Sequence, residues 1–239
     1  MRTLLCSIIM LWAFAAGAAD TPKPGGTLHF AATGEPSNYD CHASASYAFI
    51  HAVRPHYSTL LRFDPADSSR VVGDLAQSWS VSDDGLAYTF RLRTGVRFHD
   101  GSLLSAADVK ASYERLRDPP VGVRSVRRAS FADITSIETP DAGTIVFRLS
   151  RPNVGMQSVF ASPWNCIYSA ARLAEDPRWP EKNVMGTGAF RFVEHVAGSH
   201  WLARGFDGYY LRGRPYLDGY RVSFSPETAI TGLQASSAV

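Results

Sequence analysis

Leu86, Tyr88, Phe90 and Leu92 fall at every second position, and Ala87, Thr89, Arg91 and Arg93 fill the places between them. Only a pleated strand collects such a set on one face, so this segment is a half-buried strand. Asp83-Asp84-Gly85 before it and Asp100-Gly101 after it are reversal signals, with glycine free to take a positive φ. Ser105 with Asp108 three residues on is a capping-box pattern. Val109, Tyr113 and Leu116 then share one helical face. The run from Leu75 to Leu116 therefore predicts strand, tight turn, longer strand, second turn and capped helix. A change of period from 2 to 3.6 within one stretch rules out a pure sandwich or a pure bundle.

The same switching continues along the chain. Thr27 to Ala31 predicts a short strand, followed by a turn-rich loop through Gly34, Pro36, Ser37 and Asn38. Ser44 to Leu61 reads as mostly helical, kinked or restarted at Pro55 and ended by Arg62-Phe63-Asp64-Pro65. Asp118 to about Ser130 reads as a loop. Ile134–Glu138 and Thr144–Leu149 predict a hairpin around Pro140-Asp141-Ala142-Gly143. Ser169–Glu175 predicts a short helix, and Gly188–Val196 and Tyr220–Phe224 two further strands. The fold class is mixed α/β, without internal repeats.

Residues 1–19 stand outside that pattern. Arg2, an apolar run from Leu4 to Ala16 and the small residues Ala16-Gly17-Ala18 predict a cleaved secretory signal peptide. The apolar run is shorter than the roughly 20 residues a membrane span needs, and Cys6 comes too early for lipid attachment. The formal net charge of +2 is near neutral, which argues against nucleic acid and anionic membrane as partners. Arg124, Arg127 and Arg128 form the densest basic cluster and read as a solvated loop beside Pro119, Pro120 and Gly122. With the leader removed, Cys41 and Cys166 remain. An even number in an oxidising compartment favours a disulfide, and two separate buried thiols are the alternative.

Three blocks resemble the family 5 extracellular solute-binding proteins, the peptide- and nickel-type receptors of ABC importers. The first is Gly25-Gly26-Thr27-Leu28 with Glu35-Pro36-Ser37-Asn38-Tyr39-Asp40, where Cys41 stands in place of the family's usual proline. The second is Leu75–Leu116, above all Tyr88-Thr89-Phe90-Arg91-Leu92-Arg93 and Gly95-Val96-Arg97-Phe98-His99-Asp100-Gly101. The third is Met185-Gly186-Thr187-Gly188-Ala189-Phe190, with Gly208-Tyr209-Tyr210 and Arg214-Pro215-Tyr216-Leu217-Asp218 after it. The resemblance implies a periplasmic-binding-protein-like first lobe with an inserted α+β subdomain. Residues 20–53 and 184–239 would form the lobe-one core, ending in a tail from Ser225, and residues 54–183 the insertion. Family members are longer, so a second lobe would be missing and the chain truncated.

The resemblance also implies a function. The chain would be an exported, periplasmic, monomeric binding component that captures a peptide or small polar ligand for an ABC permease and performs no chemistry. With one lobe it would bind weakly. Asn38 and Tyr39 in the loop after the first strand are candidate ligand contacts, against ordinary turn chemistry. Trp164 and Asn165 are candidates for a cleft wall, against a core tryptophan. Gly186-Thr187-Gly188 reads as close backbone packing near the hinge rather than a phosphate loop. His42, His51 and His56 lack metal-ligand spacing, so no metal or cofactor is expected. No Gly-x-Ser-x-Gly elbow, zinc-protease helix or nucleotide loop occurs. The alternative function is a secreted single-lobe interaction domain without a transport role.

Overall fold

The computed structural model describes residues 22–224. The expected signal peptide and the tail from Ser225 lie outside the described residues.

Two four-stranded sheets organise the chain. Strand β1 (Thr27–Ala32) opens it, and helix α1 (Tyr47–Val53) follows. Strands β2 (Leu61–Asp64) and β3 (Asp67–Gly73) form a separate hairpin. Then come β4 (Ala76–Val81), β5 (Ala87–Leu92), helix α2 (Ala106–Arg117), β6 (Ile134–Asp141) and β7 (Thr144–Leu149). Short helices α3 (Met156–Phe160) and α4 (Ala170–Glu175) lead to β8 (Phe190–Val196), β9 (His200–Gly205) and β10 (Gly219–Phe224). One sheet runs β4-β5-β7-β6, all antiparallel. The other runs β1-β10-β9-β8, with β1 parallel to β10. The first and last parts of the described chain thus share a sheet and bracket everything between.

The alternation in β5 does what its period requires. Tyr88, Phe90 and Leu92 are buried, and α2 lays Val109, Tyr113 and Leu116 on the same core with Phe131, Phe147 and Phe160. Phe147 and Phe160 sit 4.7 Å apart between ring centroids. A second core lies between the other sheet and α1, where Phe49, Ile50 and Val53 meet Trp201, Ala203, Tyr220 and Val222. The Ser105 amide donates to Asp108 Oδ2 at 2.7 Å, so the capping box forms. Asp108 Oδ1 also accepts from the Ala170 amide at 2.8 Å, so one carboxylate ties the starts of α2 and α4 together.

The Ser44–Leu61 region departs from expectation. Helix α1 is short, Arg54–His56 is a single 3-10 turn, and Arg62–Asp64 belongs to a strand rather than a helix end. Pro55 is part of the reason, since it has no amide to continue the ladder. The stronger reason is tertiary: the Gly188 amide donates to the His56 carbonyl at 2.9 Å and draws the chain out straight. That approach needs glycine. A Cβ on Gly188 would lie 2.4 Å from the Pro55 oxygen, and one on Gly186 would lie 2.3 Å from the His56 oxygen. Both obstacles are backbone and cannot rotate away. Gly188→Ala is expected to lower stability by about 2–3 kcal/mol, read as a drop in the urea midpoint at unchanged slope.

Candidate ligand-binding face

The loop after β1 and the segment before α4 are brought together by a bond between Cys41 and Cys166, whose Cα atoms are 6.0 Å apart. Beneath them lies a charge network that the sequence did not suggest. Arg115 from α2 and Asp40 are both almost fully enclosed and meet at 2.6 Å. The second guanidinium nitrogen donates to His42 Nδ1 at 3.0 Å, and Arg115 Nε donates to the Pro177 carbonyl at 3.1 Å. Asp40 also accepts from the Tyr168 hydroxyl at 3.1 Å and the His42 amide at 2.9 Å. The Tyr168 oxygen in turn accepts from the Cys41 amide at 2.8 Å.

This wiring defines the state of each group. A guanidinium can only donate, so His42 Nδ1 accepts, and Nε2 carries the proton it gives the Cys166 carbonyl at 3.0 Å. Burial, opposed by Asp40, holds His42 down to about 3, so the ring is neutral. Burial pushes the Asp40 carboxyl up, but His42 and Arg115 outweigh it and leave it below its ordinary value. A buried ion pair becomes costly when one partner is lost. Arg115→Met is expected to cost about 3 kcal/mol by stranding the Asp40 charge, and adding Asp40→Asn should restore about half. Urea unfolding of the two variants and the wild type checks this.

The candidate residues take different places on this base. Asn38 is half-buried, and its side-chain oxygen accepts from the Asp40 amide at 3.0 Å, so it shapes the turn. Tyr39 packs edge-on to Trp201 at 5.2 Å and against Phe192. Its hydroxyl meets His195 Nδ1 at 3.0 Å, and His195 Nε2 faces Glu35 at 3.3 Å. Trp164 is half-buried beside the disulfide. The Arg127 guanidinium lies 4.6 Å above its ring, and Tyr47, largely exposed, meets its edge at 6.1 Å. Arg127 is fixed by donating to the Ser44 carbonyl at 2.8 Å. Burial lowers its pKa to about 10, which leaves it charged at neutral pH. Asn165 is fully buried and donates to the Val159 carbonyl at 2.6 Å, securing the end of α3.

The surface beside the disulfide is therefore formed by the exposed Tyr47 with the half-buried Trp164 and Arg127. It offers aromatic faces and one fixed cation, suited to a planar or carboxylate-bearing ligand. Tyr47 and Arg127 were not among the candidates read from sequence. An exposed tyrosine opening a helix and an arginine in a basic loop carry no local signal of convergence.

The histidines that crowd the sequence do not gather. His56 gives its Nδ1 proton to the Phe190 carbonyl at 2.7 Å and accepts at Nε2 from Trp201 at 3.0 Å, while His51 is exposed on α1. Among the described residues no group of three His, Cys, Asp or Glu side chains could hold a metal ion. Nor, among them, is any helix long and apolar enough to cross a membrane.

Residues 70–238 match the family model described as bacterial extracellular solute-binding proteins, family 5 middle. The chain is 32% identical over 238 residues to di/tripeptide-binding protein 2 of Pseudomonas aeruginosa strain UCBPP-PA14, covering 91% of this chain and 44% of that protein. It is 28% identical to the dipeptide-binding protein of Escherichia coli K12, covering 85% of this chain and 42% of that one. Among solved structures, the periplasmic binding protein AgaA from A. tumefacien R10, in complex with agropinic acid, superposes with a TM-score of 0.78 at 34% identity. That match covers 84% of this chain and 40% of AgaA. The oligopeptide-binding protein AppA of Bacillus subtilis, with a nonapeptide, gives 0.79 at 26% identity over 88% and 42% of the two chains.

The fold is part of a periplasmic binding protein. The chain belongs to the family 5 bacterial extracellular solute-binding proteins, and it spans less than half the length of these relatives.

Proposed function

We propose that this chain is the first-lobe portion of an exported receptor that captures a peptide or similar small polar solute and delivers it to an ABC permease. The observation that carries the reading is the joining of the Asn38–His42 loop to the Trp164–Cys166 segment, which sets Trp164, Arg127 and Tyr47 side by side at the surface. In this reading residues 20–53 and 184–224 are the lobe core and residues 54–183 its insertion. The sharing of one sheet by β1 and β8–β10 supports that division. The protein acts as a monomer, in the periplasm after loss of its leader, and catalyses nothing.

Trp164 is the residue we assign to ligand contact. Asn38 and Tyr39 support it by shaping the loop from beneath, and Asn165 does so from the core. One lobe covers one side of a ligand and leaves the other to water, so residues 22–224 taken by themselves are expected to bind weakly. Two measurements test the reading. A host lacking the gene should lose uptake of one class of di-, tri- or oligopeptide, and uptake unchanged across the panel would sink the transport role. Calorimetric titration of the chain itself should show binding no tighter than about millimolar. A micromolar isotherm would overturn the half-site.

A further inference from the structure

Strands β8 and β9 place two arginines directly opposite each other. Arg191 pairs with Arg204 in the antiparallel register, so both side chains leave the same face of the sheet. That face is the one turned away from α1, because Phe190, Phe192, Trp201 and Ala203 fill the other. The next residue across, on β10, is Gly219, which adds no side chain to the row. Like charges in this position repel. Some exposed arginines elsewhere are answered by acids, as Arg148 is by Glu138 and Arg178 by Glu181. Among the described residues neither Arg191 nor Arg204 has a carboxylate within 4.0 Å.

Arg191 is also held in place, while Arg204 is exposed. The Arg191 guanidinium lies 4.7 Å from the Phe206 ring centre and donates to the His99 carbonyl, while its Nε is enclosed without a partner. Phe206 is braced edge-on by His99 at 5.0 Å. With Gly205, Phe206, Asp207 and Gly208, the two arginines line a depression of about 340 Å³. Asp207 is the one acid in this lining, so the charge stays positive. The Gly205 and Phe206 amides are already used, donating to the Asp218 and Ala189 carbonyls. The charged donors of the lining are the two guanidinium groups, and the exposed Arg204 fork matches an oxyanion.

We propose that this depression is an oxyanion site, taking a phosphate or carboxylate group between Arg191 and Arg204. It is separate from the Tyr47–Trp164–Arg127 surface and does not depend on the transport reading. Amide NMR of the full chain, titrated with sodium phosphate and separately with sodium acetate at constant ionic strength, tests it. Saturable shifts confined to Gly205–Gly208 are expected, and whichever salt acts at lower concentration identifies the oxyanion. Arg204→Gln should weaken binding at least about fivefold. It should also raise the melting temperature in anion-free buffer, because it relieves the repulsion, and abolish the rise that the anion gives the wild type. Arg191→Lys, which keeps the charge and loses the fork, should weaken binding without that gain. Shifts that persist in Arg204→Gln, shifts of equal size around Arg124 and Arg128, or no shift up to about 50 mM would each overturn the site.

Discussion

Between pH 7 and pH 5 the folded state is expected to lose about 5–6 kcal/mol of stability through three buried histidines. Burial is the first cause in each case. It brings His42 and His56 to about 3, and with Arg191 nearby it brings His99 to about 4. Hydrogen bonds to carbonyls oppose this without overcoming it. A folded-state value below the unfolded one means that the unfolded chain binds protons first. The stability these rings contribute is whole above about 6.5, drains as the pH falls, and is gone near the folded values. Asp40 acts in a lower window, because its lowered carboxyl gives stability that is lost only below about pH 4. A typical domain has about 5–15 kcal/mol in all, so the chain should stand near its unfolding midpoint at about pH 5. Urea unfolding at several pH values checks this, with a slope approaching three protons taken up on unfolding. His99→Gln should remove about one third of the drop. A slope below one proton would show that the rings are solvated in the folded state.

These histidines also mark the limit of what the sequence told. The alternation in β5, the capping box of α2 and the hairpin of β6 and β7 are local signals, and the structure contains all three elements. The family resemblance, and with it the fold class, rested on those same local blocks. The β2–β3 hairpin and β9 were not read. Asp64 pairs with Asp67 across Pro65-Ala66, a turn without the usual Asn-Gly or Asp-Gly mark. Strand β9 alternates Trp201 and Ala203 inward with Leu202 and Arg204 outward, too even a mixture of sizes to stand out. At the candidate site, Trp164 was legible as an aromatic in a loop. Its neighbours Arg127 and Tyr47 were not, because 37 and 117 residues of chain lie roughly between them and Trp164. Arg115 was the hardest to see. In the last turn of a helix it reads as a surface cation favoured by the helix dipole, and only the Asp40 loop, held over it from a distant part of the chain, makes it a buried one.

That loop makes the disulfide the other large lever. Cys41→Ser with Cys166→Ser is expected to lower stability by about 4–5 kcal/mol in oxidising buffer, the chain-entropy value for so long a closed loop. The bond spans 125 residues. It ties the loop after β1, whose sheet also holds β8–β10, to the segment entering α4, which packs on α2. Without it, the junction is held by the Asp40–Arg115 pair, the His42 bond to the Cys166 carbonyl and the Tyr168 hydroxyl between Asp40 and the Cys41 amide. All are hydrogen-bonded charge or dipole contacts that weaken once water enters. The loss should therefore be seen first in this junction, as faster hydrogen exchange at the Cys41 and His42 amides, and only then in global unfolding. Reducing the wild type should reproduce the double variant. Both sulfurs are buried and bonded, so neither should take up maleimide until the protein is unfolded and reduced. A double variant within about 1 kcal/mol of the wild type would mean that the buried ion pair and its hydrogen bonds set the junction without the disulfide. In that case the surface formed by Trp164, Arg127 and Tyr47 would survive reduction unchanged.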